Sequence, residues 1–354
     1  IKNTFNLPAH LEVSAKQVSA PQDQLSDYLL EFPFYHGRAE ELTREDFLPH
    51  MGSQRWVDWK GFGPNYTQGV FQEPDVSGVS SRSPLSEKSQ KYLEMIVDLC
   101  AENEIPLVFI LAPYPLTAEE QAVFNSVADY ASAQGVPFIN YNLLYDDLRL
   151  DFASDFASDQ HLNYQGARKF TQAVGSYLVD RYDLPDRRGN SAYESWQRDA
   201  DDIRARARDH ELSQISDPAE LLVQTLQSDN SDDYLILVAK NACDLSWPGW
   251  GSAATALSAE GFNDSLEPTG AFALGDGELL YSTTAGTYEW YTDAGSKRVM
   301  VSRGDAGDAS MRFTGERVDI PTGGLTILIY NAHTDQVAAR GAWTTSAGGY
   351  SRVA

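Results

Sequence analysis

The sequence predicts an α/β fold, a partial doubly wound parallel sheet, followed by an all-β sandwich domain. Helical and extended patterns alternate after Ser86, charged residues and alanine then dominate, and short β runs with glycine turns recur after Asp233. These three observations define the expected domains, which are an α/β domain over 1–185, a helical connector over 186–229 and a β-sandwich over 230–354.

The α/β prediction depends on amphipathic helices that alternate with apolar strands. Ser86 is the expected N-cap of one helix, and Thr117 caps a second helix that ends at Gly135. The runs 106–112 and 136–141 are short and apolar without polar alternation. This pattern is typical of parallel strands that are buried on both faces.

The β-sandwich prediction depends on short runs of branched and aromatic residues that turn residues separate. The runs are 234–239, 278–281, 288–292, 298–302, 311–313, 317–320, 325–331 and 337–343. In the connector, alternating Asp and Arg residues between 198 and 209 predict a solvated, salt-bridged helix face.

Charge and cysteine content exclude several classes of function. The formal net charge of −24 opposes binding to nucleic acid or to an anionic membrane surface. Two cysteines exclude a disulfide scaffold, and no C-x-x-C pattern is present for zinc. The acidic loop 142–160 matches no calcium-binding spacing, so we interpret it as a solvated run. We expect no metal and no cofactor.

The stretch 154–167 carries the candidate chemistry, because it follows a predicted parallel strand and opens a helix. Sites in open α/β sheets form where the strands end. His161, held by a nearby carboxylate, is a candidate general base toward a serine. Asn163 can cap the helix, and Gly166 permits tight packing. The alternative is that His161 only pins the loop by a hydrogen bond.

This block resembles the terminal Asp/His block of SGNH (GDSL-like) hydrolases, through His161-Leu162-Asn163-Tyr164-x-Gly166-Ala167. It is most similar to the envelope branch of DltD-like proteins and polysaccharide O-acetyltransferases. Upstream, Tyr35-His36-Gly37-Arg38, residues 42–47 and residues 60–62 resemble the segment before the last α/β units, so the resemblance covers residues 1–182. It implies that His161 is catalytic. His36, Arg38 and Asn163 are the candidate substrate-binding residues, although packing among neighbouring aromatic residues is the preferred interpretation of His36.

The chain departs from the family pattern at the orienting acid. The family places aspartate three residues before the histidine, where this chain has Ser158. Asp159 is the preferred orienting carboxylate, on the expectation that the loop shifts by one residue, and Asp155 is the alternative.

A second departure concerns the nucleophile. The family serine follows the first strand, and no Gly-Asp-Ser occurs in that context here. The family's oxyanion asparagine is also unassigned, with Asn65 as a candidate. The resemblance therefore implies either an enzyme whose nucleophile is not in this chain or a degenerate relative.

The C-terminal region is similar to the interleukin-like EMT inducer (ILEI) domain. The resemblance depends on residues 233–240, residues 323–331, residues 335–338 and Trp343. It implies a secreted β-sandwich with a binding role. Four tryptophans could offer sugar-stacking faces, although burial in the core is the preferred interpretation, and they are Trp247, Trp250, Trp290 and Trp343.

These expectations combine into a cell-envelope SGNH-like esterase or O-acyltransferase that acts on glycan or teichoic-type polymers by Ser-His-Asp chemistry. The alternative is a non-catalytic extracellular protein that binds carbohydrate or a partner. The expected partner is an acylated envelope glycan or polymer, with no nucleic acid. Because the chain begins at Ile1, we expect an exported protein whose N-terminal membrane anchor has been removed. The oligomeric state is not predicted.

Overall fold

The structure, a computed structural model, describes residues 59–262, 267–284, 286–304 and 307–353. It contains both helices and sheets, with multistranded antiparallel sheets toward the C-terminus. Contacts group Gly63–Ala354 into one compact unit. Within the described ranges, no helix has the length and apolar character that a bilayer span requires.

The first half of the described chain alternates helices and short strands, as predicted. Its helices are α1 (Glu87–Glu102), α2 (Ala118–Ala133), α3 (Tyr145–Leu148) and α4 (Tyr164–Arg181). Its strands are β1 (Phe109–Leu111), β2 (Phe138–Asn140), β3 (Phe156–Ser158) and β4 (His161–Leu162). Both predicted caps are confirmed, because Ser86 Oγ accepts the Ser89 N–H and Thr117 forms a capping box with Glu120.

Of the predicted parallel sheet, the described residues contain two strands. β1 pairs with β2 in register, and Phe109 lies opposite Phe138. The expectation that β1 is buried on both faces is wrong for the described part, because Ile110 is 37% exposed and its strand neighbours are only half-buried. The apolar side of α1 is also open, with Tyr92 and Leu99 exposed.

The second half forms two antiparallel sheets and three helices. The helices are α5 (Glu194–Gln214), α6 (Pro218–Leu226) and α7 (Trp250–Ala259). The larger sheet has the order β14-β13-β12-β5-β6-β7, with β5 at Tyr234–Asn241, β6 at Gly270–Gly275, β7 at Glu278–Thr283, β12 at Gly324–Asn331, β13 at Gln336–Ser346 and β14 at Gly349–Arg352. The smaller has the order β11-β10-β9-β8, with β8 at Tyr288–Ala294, β9 at Lys297–Arg303, β10 at Ala309–Phe313 and β11 at Glu316–Val318.

The larger sheet is covered on both faces, and β5 alternates its side chains between the two covers. Leu235, Leu237 and Ala239 share one core with the smaller sheet. Ile236 and Val238 share the other core with the helices. The result is three layers, in which the larger sheet lies between the smaller sheet and the helices.

The prediction of an all-β domain after a helical connector therefore needs correction. Leu212 of α5 and Leu222 of α6 lie fully buried in the same core as Trp250 of α7. The helices predicted over 186–229 are present, but they form the outer layer of the larger sheet rather than a separate connector. All eight predicted β runs overlap observed strands, while β6, β14 and α7 were not predicted.

Asp209 fastens α5 to the larger sheet through three neutral donors. Its carboxylate accepts the Tyr234 hydroxyl at 3.1 Å, Asn331 Nδ2 at 2.8 Å and Thr334 Oγ1 at 2.8 Å. Burial raises the pKa of Asp209 above its ordinary value, and the three hydrogen bonds oppose that rise. The three donors are themselves buried, so each of them depends on this one side chain.

We expect Asp209→Ala to lower the free energy of unfolding by about 2 kcal/mol or more, because it leaves three buried donors without their acceptor. The matched control on the same helix is Asp201→Ala, which breaks a partly exposed i,i+3 pair with Arg204. That pair is worth less than about 0.5 kcal/mol. Chemical denaturation of both variants measures the difference, and equal losses would contradict the role given to Asp209.

Candidate functional site

A short β-hairpin positions His161. β3 and β4 are joined by the two-residue turn Asp159-Gln160, and Ser158 lies opposite His161 in the pairing. Ser158 Oγ lies 2.9 Å from His161 Nδ1, and the Gln160 N–H donates to the same Oγ at 3.3 Å. The hydroxyl can donate or accept, so it holds the imidazole in either neutral tautomer.

Asp159 does not hold the histidine in this arrangement. It is exposed at the turn, and no hydrogen bond joins its carboxylate to His161 among the described residues. The loop does not shift by one residue. Ser158, three residues before the histidine, takes the place where the family has its aspartate, and the structure does not bring the expected Asp159 carboxylate to His161.

Asp155, the alternative orienting carboxylate, serves the scaffold instead. Its side chain is 2% exposed, and it accepts the Asp151 N–H at 2.7 Å and Lys169 Nζ of α4 at 2.5 Å. Its backbone carbonyl accepts the Asn163 N–H at 3.0 Å. Asp155 therefore ties the loop before the hairpin to the helix after it, and the loop is not exposed at this residue.

Asn163 caps α4, as the sequence predicted. Its Oδ1 accepts the N–H groups of Gln165 and Gly166, both at 3.1 Å. Its Nδ2 donates to the carbonyls of Thr67 and Ser154, at 3.2 and 2.6 Å. Both amide protons and both lone pairs are thus used inside the protein, which leaves no group free for the expected substrate-binding role.

A segment upstream of α1 runs beside the hairpin and brings Asn65 to it. The Tyr164 N–H donates to the Asn65 carbonyl at 2.7 Å, and the Gly69 N–H donates to the Phe156 carbonyl at 2.8 Å. The Asn65 side chain is exposed, and its Oδ1 accepts the Thr67 N–H. The candidate oxyanion residue therefore lies next to the histidine block.

Aromatic packing holds this segment against two helices. The Tyr66 ring stacks on His210 of α5 with ring centroids 4.5 Å apart, and it contacts Tyr164 of α4 at 5.3 Å. Burial raises the pKa values of both tyrosines. His210 therefore has a packing role in this structure.

The remaining predicted site residues divide into two groups. His36 and Arg38 lie outside the described residues. Trp247, Trp250 and Trp343 are buried, at 3%, 1% and 0% exposed. The preferred expectation of a core role is confirmed for these three. In the described ranges, no group of three or more His, Cys, Asp or Glu side chains is placed to hold a metal ion.

Gly166 permits the close approach of α4 to the loop, and its substitution tests how rigidly the hairpin is held. A Cβ atom at this position would lie 2.2 Å from the Asp155 carbonyl oxygen and 2.9 Å from Leu162 Cδ2. We expect Gly166→Ala to destabilise the protein by about 2 kcal/mol or more, because the nearest atom belongs to the backbone.

The matched control is Gly175→Ala on the same helix, where a Cβ would meet nothing within 4 Å. Here the gain in helix propensity should stabilise the protein by about 0.5–1 kcal/mol. Thermal unfolding measures both variants. If both moved the unfolding temperature in the same direction, the packing described for Gly166 would be wrong.

We compared the chain with protein-family models, curated proteins and solved structures, and found no match in any of the three.

Proposed function

We propose that this protein is a cell-envelope esterase or O-acyltransferase of the SGNH type, acting on acylated glycans or teichoic-type polymers. His161 is its general base, and a serine that is not in this chain is its nucleophile. The observation that carries the proposal is the contact of 2.9 Å between Ser158 Oγ and His161 Nδ1. With Nδ1 held, Nε2 is the nitrogen left to take a proton from an attacking hydroxyl.

The surroundings of His161 support a catalytic role because they fix the ring without burying it. His161 itself is exposed, while Phe156 behind it is fully buried. The Asn163 cap and the Asp155–Lys169 ion pair fix the two ends of the hairpin. A base held in this way loses little entropy when substrate binds, which favours proton transfer.

A serine in the orienting position changes the electrostatics of the proposed mechanism. A hydroxyl can accept the Nδ1 proton and so keep Nε2 unprotonated, as an aspartate does. It supplies no negative charge to stabilise the imidazolium that forms as the nucleophile loses its proton. We therefore expect a slower reaction than an aspartate would support.

The open surface of the α/β part supports a nucleophile from elsewhere. β1 lies at an edge with Ile110 exposed, and α1 turns Tyr92, Ile96 and Leu99 to solvent. Apolar strands and helix faces of this kind are normally covered. We propose that further strands complete a doubly wound sheet at β1 and carry the serine. An envelope substrate would also require the protein to be exported.

The second candidate function is a non-catalytic extracellular binding protein on a degenerate hydrolase scaffold. The observation that favours it is that Ser158 replaces the family aspartate and no carboxylate among the described residues orients His161. In that case the hydrogen bond between His161 and Ser158 only stabilises the hairpin.

Kinetics on the longest natural form of the protein separate the two candidates. We expect His161→Ala to lower the turnover of acylated substrate by about 10³-fold or more. Ser158→Ala should lower it less, and Ser158→Asp should raise it, because it restores the charged orienting group. Asp159→Asn is the matched control and should leave turnover unchanged. Near wild-type turnover in a folded His161→Ala variant would support the binding protein instead.

The chain of 354 residues allows a second test. We expect it to hydrolyse p-nitrophenyl acetate no faster than its His161→Ala variant, because the proposed nucleophile lies elsewhere. The assay requires both proteins at equal concentration and equal thermal stability. Turnover above the control would place a working nucleophile inside this chain.

A further inference from the structure

An open cleft lies where the chain passes from α4 to α5. Its volume is about 730 Å³, which is in the range of small-ligand sites. Its lining includes Arg187, Arg188, Asn190, Tyr193, Trp196 and Gln197. None of these residues belongs to the histidine block, so the cleft needs an explanation of its own.

Trp196 differs in burial from the other tryptophans of the second half. Its side chain is 57% exposed, while Trp250 and Trp343 are almost fully buried. Exposure of a large indole to water costs hydrophobic free energy, and tryptophan and tyrosine are enriched at binding interfaces. The exposed indole offers a flat aromatic ring, which can stack on the apolar face of a pyranose ring.

The two arginines of the cleft differ in their partners. Arg188 forms an ion pair with both carboxylate oxygens of Asp186, with distances of 2.6 Å from Nη2 and 2.9 Å from Nε. Arg187 instead lies 4.6 Å above the Tyr193 ring and donates to the tyrosine hydroxyl. No carboxylate of the described residues lies within ion-pair distance of Arg187, although Glu194 also lines the cleft.

Arg187 lines an open cleft and carries a positive charge that no carboxylate of the described residues neutralises. A guanidinium group has five N–H donors and fits carboxylate or phosphate in a bidentate geometry. Stacking on Tyr193 fixes its plane, so little side-chain entropy remains to be lost when an anion binds. Arg187 is therefore a pre-positioned anion-binding group.

The loop that carries these arginines is held in place by its own hydrogen bonds. Asn190 Oδ1 accepts the Ala192 N–H at 3.0 Å, and the Asn190 carbonyl accepts the Tyr193 N–H at 2.8 Å. Gly189 has a φ of +76°, a conformation that other residues adopt at a cost. The rim of the cleft is thus preformed.

We propose that this cleft binds an acidic glycan, with one sugar ring stacked on Trp196 and its carboxylate or phosphate group paired with Arg187. The proposal names the substrate class for the function proposed above and rests on it only in that respect. The binding itself uses no residue of the histidine block. A His161→Ala variant should therefore bind the same glycan with unchanged affinity.

The experiment is isothermal titration calorimetry on the full chain with four probes. Hyaluronan tetrasaccharide carries carboxylates, chitotetraose is its neutral counterpart, phosphorylated mannopentaose carries a phosphate, and unmodified mannopentaose is its neutral counterpart. We expect at least one acidic probe to bind about ten-fold or more tightly than its neutral counterpart, and higher salt to weaken that binding. The acidic probe that binds identifies the anionic group.

Three variants locate the binding. Arg187→Ala should weaken the affinity for the acidic probe about ten-fold and remove its preference over the neutral probe. Trp196→Ala should weaken the affinity for both probes. Arg198→Ala is the matched control, since it removes the same charge from an exposed position of α5 outside this lining. Three outcomes would each overturn the proposal. They are no binding of either acidic probe, equal binding of acidic and neutral probes, and an Arg187→Ala variant that binds as the wild type does. Binding that survives in His161→Ala while turnover is lost separates this proposal from the catalytic one.

Discussion

The burial of β5 on both faces is the constraint on which the second half of the structure depends. A strand with apolar residues at consecutive positions cannot be stable with one face in water. The smaller sheet covers the face of β5 that carries Leu237, while α5, α6 and α7 cover the opposite face, which carries Val238. The helices cannot be removed without exposing this strand, which is why they belong to the domain rather than to a connector.

Asp209 fixes the position of α5 on the larger sheet. Apolar contacts alone allow a helix to slide, because one buried leucine can replace another at small cost. Three hydrogen bonds to Tyr234, Asn331 and Thr334 fix one register of the helix on the sheet. The same helix carries His210 against Tyr66, so the register also affects the segment that runs beside the histidine hairpin. The two halves are in this way mechanically connected.

How far the sequence predicts this structure is clearest from particular residues. Ser86, Thr117 and Asn163 were predicted as caps, and each accepts backbone N–H groups, because capping is a local interaction within three residues. The eight β runs were found for the same reason, since alternation and turns are local. β6 was missed because small residues and glycine dominate it, and its strand pairing comes from its neighbours rather than from its own propensity.

The candidate site was predicted in part, and the errors have a common cause. The block around His161 was located from its order along the chain, but the orienting partner depends on which side chains share a face of the hairpin. A two-residue turn places residues i and i+3 opposite each other, which favours Ser158 over Asp159. The roles of Asp155 and Asn163 depend on Lys169 and Thr67, whose positions no local pattern indicates. Long-range contacts therefore decide which polar residue is a scaffold group and which remains free for chemistry.

β1 and β5 carry similar apolar sequences, and the difference in their burial bears on function. Val238 and its neighbours on β5 have no exposure, because two layers cover them, whereas Ile110 on β1 remains open to solvent. An apolar strand with one parallel neighbour is not a stable arrangement in water. Polypeptide that covered β1 would remove the exposed part of Ile110 from water, which is favourable. Ligand sites of open α/β sheets lie at the carboxyl ends of such strands, so the same event would bring new residues toward the end of the sheet. If the proposed function is correct, a histidine held in advance by Ser158 is the part of the site that forms first, because a hairpin and a helix cap need no neighbouring strand.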